Sequence, residues 1–287
     1  MNEVTENNLW GYFQTPQKKA SLLKKTTAAR NAAGHRVKSY RELATKIAEL
    51  QFMNRDLVLM FRGQNGDYRN SRSNTTLKAS LFRSEAGQTT PPSAGVLIRR
   101  FEQLQRAEEQ LIRSYEDKKF IGRERLQRYR ILRWAILQHY EVCPTPLLDV
   151  THSLRIAASF ATMGANTDAY LYVLGVPNLA GAITASAEAG LQIIRLSSVC
   201  PPAALRPHFQ EGYLLGEYPE LLSFNDKQLL DHYEVDFGRR LVAKFVFDPV
   251  KLWSDPNFTP ASNVAIYPTP GEDPLLDMTS KIKASLV

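Results

Sequence analysis

The sequence predicts an α+β fold. Apolar runs of strand length recur near 57–61, 147–150, 169–176, 193–196, 211–215 and 241–247, while helical periodicity fills 96–140, between the first two. No internal repeat marks a solenoid. A mixed, mainly antiparallel sheet core with an inserted helical block is therefore expected.

The elements follow in order. Trp10, Tyr12 and Phe13 form an aromatic cluster inside a basic segment, 1–37, read as an arm preceding one domain over 38–287. Val37, Tyr40, Leu43, Ile47 and Leu50 repeat at helical spacing behind Ser39, a good N-cap, so a helix is predicted over 40–51. Leu57–Phe61 is a continuous apolar strand leading into Arg62-Gly63-Gln64, and 63–76 is polar and turn-rich. A loop of Gly, Thr, Pro and Ser over 85–95 precedes the helical block. Leu97, Phe101, Leu104, Leu111 and Tyr115 share one face there, and after a break near 118–122 a second helix carries Leu126, Tyr129, Leu132, Ile136 and Leu137 inward. Pro144 and Pro146 force an extended turn before a short strand at 147–150, and Thr151 or Ser153 can cap the helix that follows. Residues 169–176 give the strongest strand, 241–247 the last clear one, and Leu275, Leu276, Met278 and Ile282 a closing amphipathic helix.

Length and composition narrow the function classes. The chain has 287 residues, 44% hydrophobic and 23% charged, which suits a soluble globular protein with one sizeable core. Nothing approaches the roughly 18 apolar residues of a membrane span, and no signal-peptide pattern opens the chain, so a cytoplasmic protein without membrane association is expected. Two cysteines, Cys143 and Cys200, have no metal-ligand spacing, which excludes a disulfide framework and a zinc site. A net charge of +7 and pI near 9.3 favour a polyanionic partner such as nucleic acid. Residues 1–38 hold seven Lys and Arg against Glu3 and Glu6. The sequence leaves the oligomeric state open.

Two stretches carry candidate chemistry. Between 138 and 161 polar residues crowd a strand-to-helix junction, which singles out Gln138, His139, Thr145, Asp149, Thr151 and His152. The other is Arg62-Gly63: a planar, always-charged fork at a strand end suits a phosphate or carboxylate, and glycine lets backbone or ligand approach. Asp149 is an obvious partner if Arg62 simply neutralises a buried carboxylate.

With Phe61-Arg62-Gly63-Gln64, Gln138-His139-Tyr140-Glu141, Thr145-Pro146-Leu147-Leu148-Asp149-Val150-Thr151 and Ser159-Phe160-Ala161 in hand, the chain resembles the FRG domain family of bacterial and phage proteins. Gln210-Glu211-Gly212-Tyr213 and Tyr267-Pro268 extend the likeness, which runs over about 38–284. Three positions depart from the family pattern: Glu141 stands for Gly, Pro146 for Arg and Val150 for Trp.

In the order of its motifs the chain is also similar, more distantly, to the ADP-ribosyltransferase fold. That resemblance implies an enzyme using NAD to modify a protein or nucleic acid, in the setting of a toxin or phage-defence effector. Arg62, with Gly63 and Gln64, would hold the NAD, and Asp149, Thr151 and Phe160 would line its site, Thr151 ordering the nicotinamide-binding strand. His139 would position a substrate hydroxyl or act as base, and Gln210, Glu217, Glu220 or Glu234 would fill a third catalytic position. The alternatives are a non-catalytic nucleotide- or nucleic-acid-binding module, and motifs that brace the fold through an Arg62–Asp149 ion pair.

Overall fold

The computed structural model describes residues 1–4, 9–88, 90–178, 180–231 and 234–286; Glu6 of the basic segment and Thr89 of the 85–95 loop lie outside them. The chain is α+β and divides into two compact units. The first holds Met1–Leu77, Val150–Leu179 and Asp236–Ser262, and the second Lys78–Asp149, Ala180–Val235 and Asn263–Val287.

In the first unit the strands lie in the order His35–Arg36, Leu241–Phe247, Ala169–Val176, Val58–Gln64, followed by the Val150–Thr151 end of Leu148–Thr151. The first pair is parallel and the others antiparallel, so the sheet is mixed. Ala169–Val176 and Leu241–Phe247 span the residues predicted for them. The first predicted strand runs longer than its apolar run, because Arg62, Gly63 and Gln64 continue to pair with Tyr172, Leu171 and Tyr170. Side chains alternate across a strand. One face, with Phe61, Leu171, Val173, Phe245 and Phe247, packs on Leu43, Ile47 and Leu50 of the Tyr40–Met53 helix and on Ala157, Ala158 and Ala161 of the Leu154–Thr162 helix. Ser39 caps the former, its hydroxyl accepting from the Glu42 amide at 3.2 Å.

Gly63 shares that face. A Cβ there would fall inside the contact radius of the Ala157 carbonyl oxygen and 2.6 Å from the Ala161 amide nitrogen. The glycine is thus required by backbone-to-backbone approach of strand and helix, and the small Ala157 and Ala161, four residues apart, permit it from the other side.

The opposite face carries a cross-strand row of Arg62, Tyr172 and Lys244. Lys244 is fully buried, and its ammonium lies 3.0 Å from Asp67. Asp67 also accepts from the Thr75 hydroxyl at 2.6 Å, the Tyr172 hydroxyl at 3.1 Å and Arg69 Nε at 2.8 Å. Burial pushes this carboxyl up, and donation from Thr75, Lys244 and Arg69 outweighs it, holding the group below the usual carboxylate range. A second buried pair, Arg30 with Asp236 at 2.5 Å, is joined to the first through Thr75, whose carbonyl accepts from Arg30 Nε and whose hydroxyl accepts from Lys244.

Residues 9–37, read from sequence as a basic arm, run through this unit. Leu9, Tyr12, Leu23 and Ala29 are buried, and the Lys244 amide donates to the Tyr12 carbonyl at 2.8 Å. The charge count concealed that Arg30 is neutralised by Asp236 and Arg36 by Asp168.

In the second unit Ile183–Ser186, Leu191–Arg195 and Gly212–Glu217 are antiparallel neighbours. The Ala94–Asp117 helix packs on Arg130–His139 and on the closing helix, Pro274–Ser285. Buried Glu108 gathers Arg130, Arg133 and the Trp134 indole N–H. The predicted second helix is two, Arg123–Arg128 and Arg130–His139, parted at Tyr129. Tyr129 is extended and 46% exposed, so it does not face the core as its spacing suggested. The Tyr129 amide closes the first helix on the Arg125 carbonyl, and its carbonyl accepts from Leu132 to begin the second.

Two stability predictions follow from the first unit. Gly63→Ala should cost about 3 kcal/mol, since two backbones have to separate, measured as urea unfolding of the purified variant; a loss under about 1 kcal/mol would contradict the packing account. Lys244→Met should cost about 3 to 5 kcal/mol by stranding Asp67, and adding Asp67→Asn should recover part of that loss. A double variant no better than the single would show that the pair is not coupled in this way.

Candidate functional site

In the first unit, alternation puts Arg62 and Gln64 on the face opposite Phe61 and Gly63. Arg62 is half-buried beside Tyr172, and Gln64 lies opposite Tyr170, whose ring stacks with that of Tyr172 at 6.4 Å. The side-chain oxygen of Gln64, Oε1, is buried with no hydrogen-bond donor among the described residues. Thr151 pairs with Phe61, which puts it on the face away from Arg62, and its hydroxyl accepts from the Ser153 amide at 3.0 Å. It thus orders the strand-to-helix turn, but it does not cap the helix as expected: the N-cap is Ser153, which makes no side-chain capping hydrogen bond. His152 is exposed and Phe160 half-buried on the helix that follows. Gly63, expected to admit a ligand, has that space filled by the helix backbone.

An open pocket of about 910 Å³ in the same unit is lined by Asn65, Asp67, Tyr170, Asp168 and Asp248 among others. Arg69 lines it too, and Asp67 is paired with Lys244 and Arg69 and Asp168 with Arg36, so the charge of the pocket neither selects nor excludes an anion.

The second unit collects most of the remaining motif residues. Gln138 Nε2 donates to Asp149 at 2.7 Å, while its Oε1 accepts from the Thr145 hydroxyl at 2.6 Å and the Ser80 hydroxyl at 3.0 Å. Two hydroxyl donors fix which way the amide points, so Asp149, its side chain 38% exposed, is presented in one orientation by a neutral partner. His139 Nδ1 lies 3.9 Å from Asp149, beyond hydrogen-bond reach. The ring is 3% exposed, and burial lowers its basicity so that it is held neutral. A Cβ on Gly212 would fall 2.8 Å from Leu196 Cδ1 and 3.3 Å from the His139 Cε1, so two side chains crowd that glycine.

Behind this lies a second layer. Tyr140 OH donates to Asp273 at 2.9 Å, and Arg206 stacks over the Tyr140 and Tyr267 rings, with 4.9 Å to the latter. Glu141 has φ +54°, the left-handed region that suits the glycine of the family pattern, and its carboxylate is 2.6 Å from Arg206. Of the four residues considered for a third catalytic position, Gln210 is buried with its amide donating to the Ile266 carbonyl at 2.9 Å. Glu217 is a buried carboxylate ending the Gly212–Glu217 strand, whereas Glu220 and Glu234 are half-exposed off the strands.

Sequence reasoning missed Ser80, Asp67 and Lys244. Only Lys244 left a signal, a lone cation inside an apolar strand. No described group of three or more His, Cys, Asp or Glu is arranged for a metal ion, and no described helix is long and apolar enough to cross a membrane.

Among known proteins, the family model that matches is that of the FRG domain, over residues 58–169. No curated protein and no solved structure matches the chain.

Acid should destabilise the fold early. His35 and His139 are both buried and pushed below the usual histidine value, chiefly by desolvation. Unfolded, they take up protons near pH 6.5 while the folded forms do not, so stability present above that pH is lost as pH falls, by up to about 1.4 kcal/mol per unit for each. Urea unfolding at pH 7 and at about pH 5.5 checks this, and equal midpoints would contradict it.

Proposed function

We propose, from the order of its Arg62, Thr151 and acidic motifs, that this chain, which matches the FRG domain over residues 58–169, is an ADP-ribosyltransferase-like enzyme using NAD to modify a protein or nucleic acid, as a toxin or phage-defence effector. The observation that carries this reading is the Arg62 face of the first unit. A half-buried guanidinium sits there two residues from a buried amide oxygen with no donor among the described residues, on Gln64.

These groups fit a dinucleotide. The fork of Arg62 matches a pyrophosphate in two hydrogen bonds, and Gln64 Oε1 accepts from a ribose hydroxyl or an exocyclic amine. When bound, NAD supplies the ADP-ribosyl group and loses nicotinamide. Thr151 acts indirectly, by bonding the Ser153 amide and fixing where the Leu154–Thr162 helix starts. Among the second unit's own candidates for a third position we assign Glu217, the buried carboxylate that ends the Gly212–Glu217 strand. A carboxylate there stabilises the positive charge that develops on the ribose better than the amide of Gln210. His139, held neutral, accepts a proton rather than carrying a standing charge.

Nicotinamide release from NAD, with and without cell lysate as acceptor source, tests the reading. Wild type should turn over. Arg62→Ala and Glu217→Gln should lose at least about 100-fold, with melting temperatures near wild type, and Glu220→Gln and Glu234→Gln should stay within about threefold. No turnover, together with no rise in melting temperature on adding NAD, would sink it.

A further inference from the structure

We propose that the corner of the second unit over residues 113–130 binds single-stranded nucleic acid. Arg113, Lys118, Lys119, Arg123, Arg125 and Arg128 are all exposed, against Glu116, Asp117 and Glu124. Elsewhere in the helical block Arg100 donates to the Leu81 and Arg83 carbonyls and Arg130 and Arg133 to Glu108, while Arg99 and Arg106 are exposed along the Ala94–Asp117 helix. At the corner none of the six is in an ion pair among the described residues, and one of the three carboxylates, Glu116, is taken by the Gln127 amide.

The turn gathers this charge. Left-handed residues Lys119, φ +53°, and Gly122, φ +91°, reverse the chain between the Ala94–Asp117 and Arg123–Arg128 helices. A Cβ on Gly122 would lie 3.5 Å from Arg125 Nη2, so that guanidinium folds back over the turn. Arg125 and Arg128, three apart within the Arg123–Arg128 helix, lie along one side, and Tyr129 follows Arg128 directly at the helix's end. Tyr129 stands at the break between helices with its ring 46% exposed, and Ile121 is 71% exposed on the turn itself.

Clustered cations neutralise phosphates, and an exposed ring flanked by arginines stacks a base. Only an unpaired base offers its face to such a ring, which favours a single strand over a duplex. Two isolated apolar residues make no continuous stripe for a membrane surface. The surface and its binding stand apart from NAD turnover; where both hold, nucleic acid is the acceptor class the enzyme would meet.

Fluorescence anisotropy on the full chain tests this, with labelled oligo(dT) of about 20 nucleotides, a duplex of the same length, and phosphatidylglycerol vesicles in a parallel sedimentation assay. The single strand should bind at low salt, and its Kd should rise about 50-fold between about 50 and about 200 mM salt, for roughly four phosphates neutralised. Joint Lys118→Glu, Lys119→Glu, Arg123→Glu and Arg128→Glu replacement should abolish measurable binding. Tyr129→Ala should weaken it about tenfold with the salt slope unchanged. These side chains are exposed, so melting temperatures should hold, and Arg62→Ala should bind as wild type whether or not NAD is consumed. The proposal is overturned by absence of oligonucleotide binding at low salt, by binding that survives the charge reversal, by duplex binding as tight as single-strand binding with Tyr129→Ala silent, or by binding to vesicles alone.

Discussion

The buried Lys244–Asp67 pair is the constraint on which the first unit depends. An ammonium in a fully buried strand position is tolerable only with a charged partner and further hydrogen bonds, because desolvation alone costs several kcal/mol. Lys244 obtains these from Asp67 and Thr75, both on the chain that leaves the Val58–Gln64 strand. That requirement pins the 65–76 segment, which is otherwise polar and turn-rich, against the neighbouring strand. Arg30 and Asp236 extend the network to the N-terminal segment, with Asp236 also accepting from the Leu77 and Gly238 amides. The strand end bearing Arg62 and Gln64 is therefore followed by a fixed segment, which suits a residue that has to meet a ligand in one geometry.

The motif residues divide by the job their environment permits. Gly63 is required by close approach to a helix backbone, and Gly212 is crowded by the Leu196 and His139 side chains. Gln138, Thr145 and Ser80 orient a carboxylate, and His139 is too buried to meet bulk solvent. What the motifs leave for chemistry is narrower than their length suggests: a guanidinium and an amide on one strand face of the first unit and, in the second, the buried carboxylate of Glu217 and the oriented, partly exposed one of Asp149.

Much of the fold was legible because burial writes itself into periodicity. Ala169–Val176 and Leu241–Phe247 are flanked by Pro177 and by Arg239-Arg240, so apolar run and strand coincide. Val58–Gln64 was read short because its last three residues are held by partner strand rather than by hydrophobicity. Ile183–Ser186, with Thr, Ala and Ser, carried no apolar run at all. The break at Tyr129 has neither glycine nor proline to announce it, and helical spacing continues straight through it. The site was legible as a set of residue types and not as a set of relations. Nothing in a sequence states that Arg30 meets Asp236, 206 residues away, or that Ser80 completes the clamp on Gln138.

Glu141 shows how a departure from a motif is absorbed. A side chain in the left-handed region costs about 1 to 2 kcal/mol relative to glycine, and an ion pair with one partner largely in water returns at most about 1 kcal/mol. The Glu141–Arg206 bond therefore offsets much of the backbone cost without exceeding it, so stability alone does not favour glutamate at this position. What the substitution adds is a carboxylate on Arg206, which is otherwise buried against the Tyr140 and Tyr267 rings. With Pro146 standing where the family pattern has arginine, one further cation is missing from the same stretch. Both changes make the 138–151 segment less positive than the FRG pattern it resembles. Anion binding by this chain would accordingly draw on charge outside that segment, such as Arg62 and the exposed corner at 113–130.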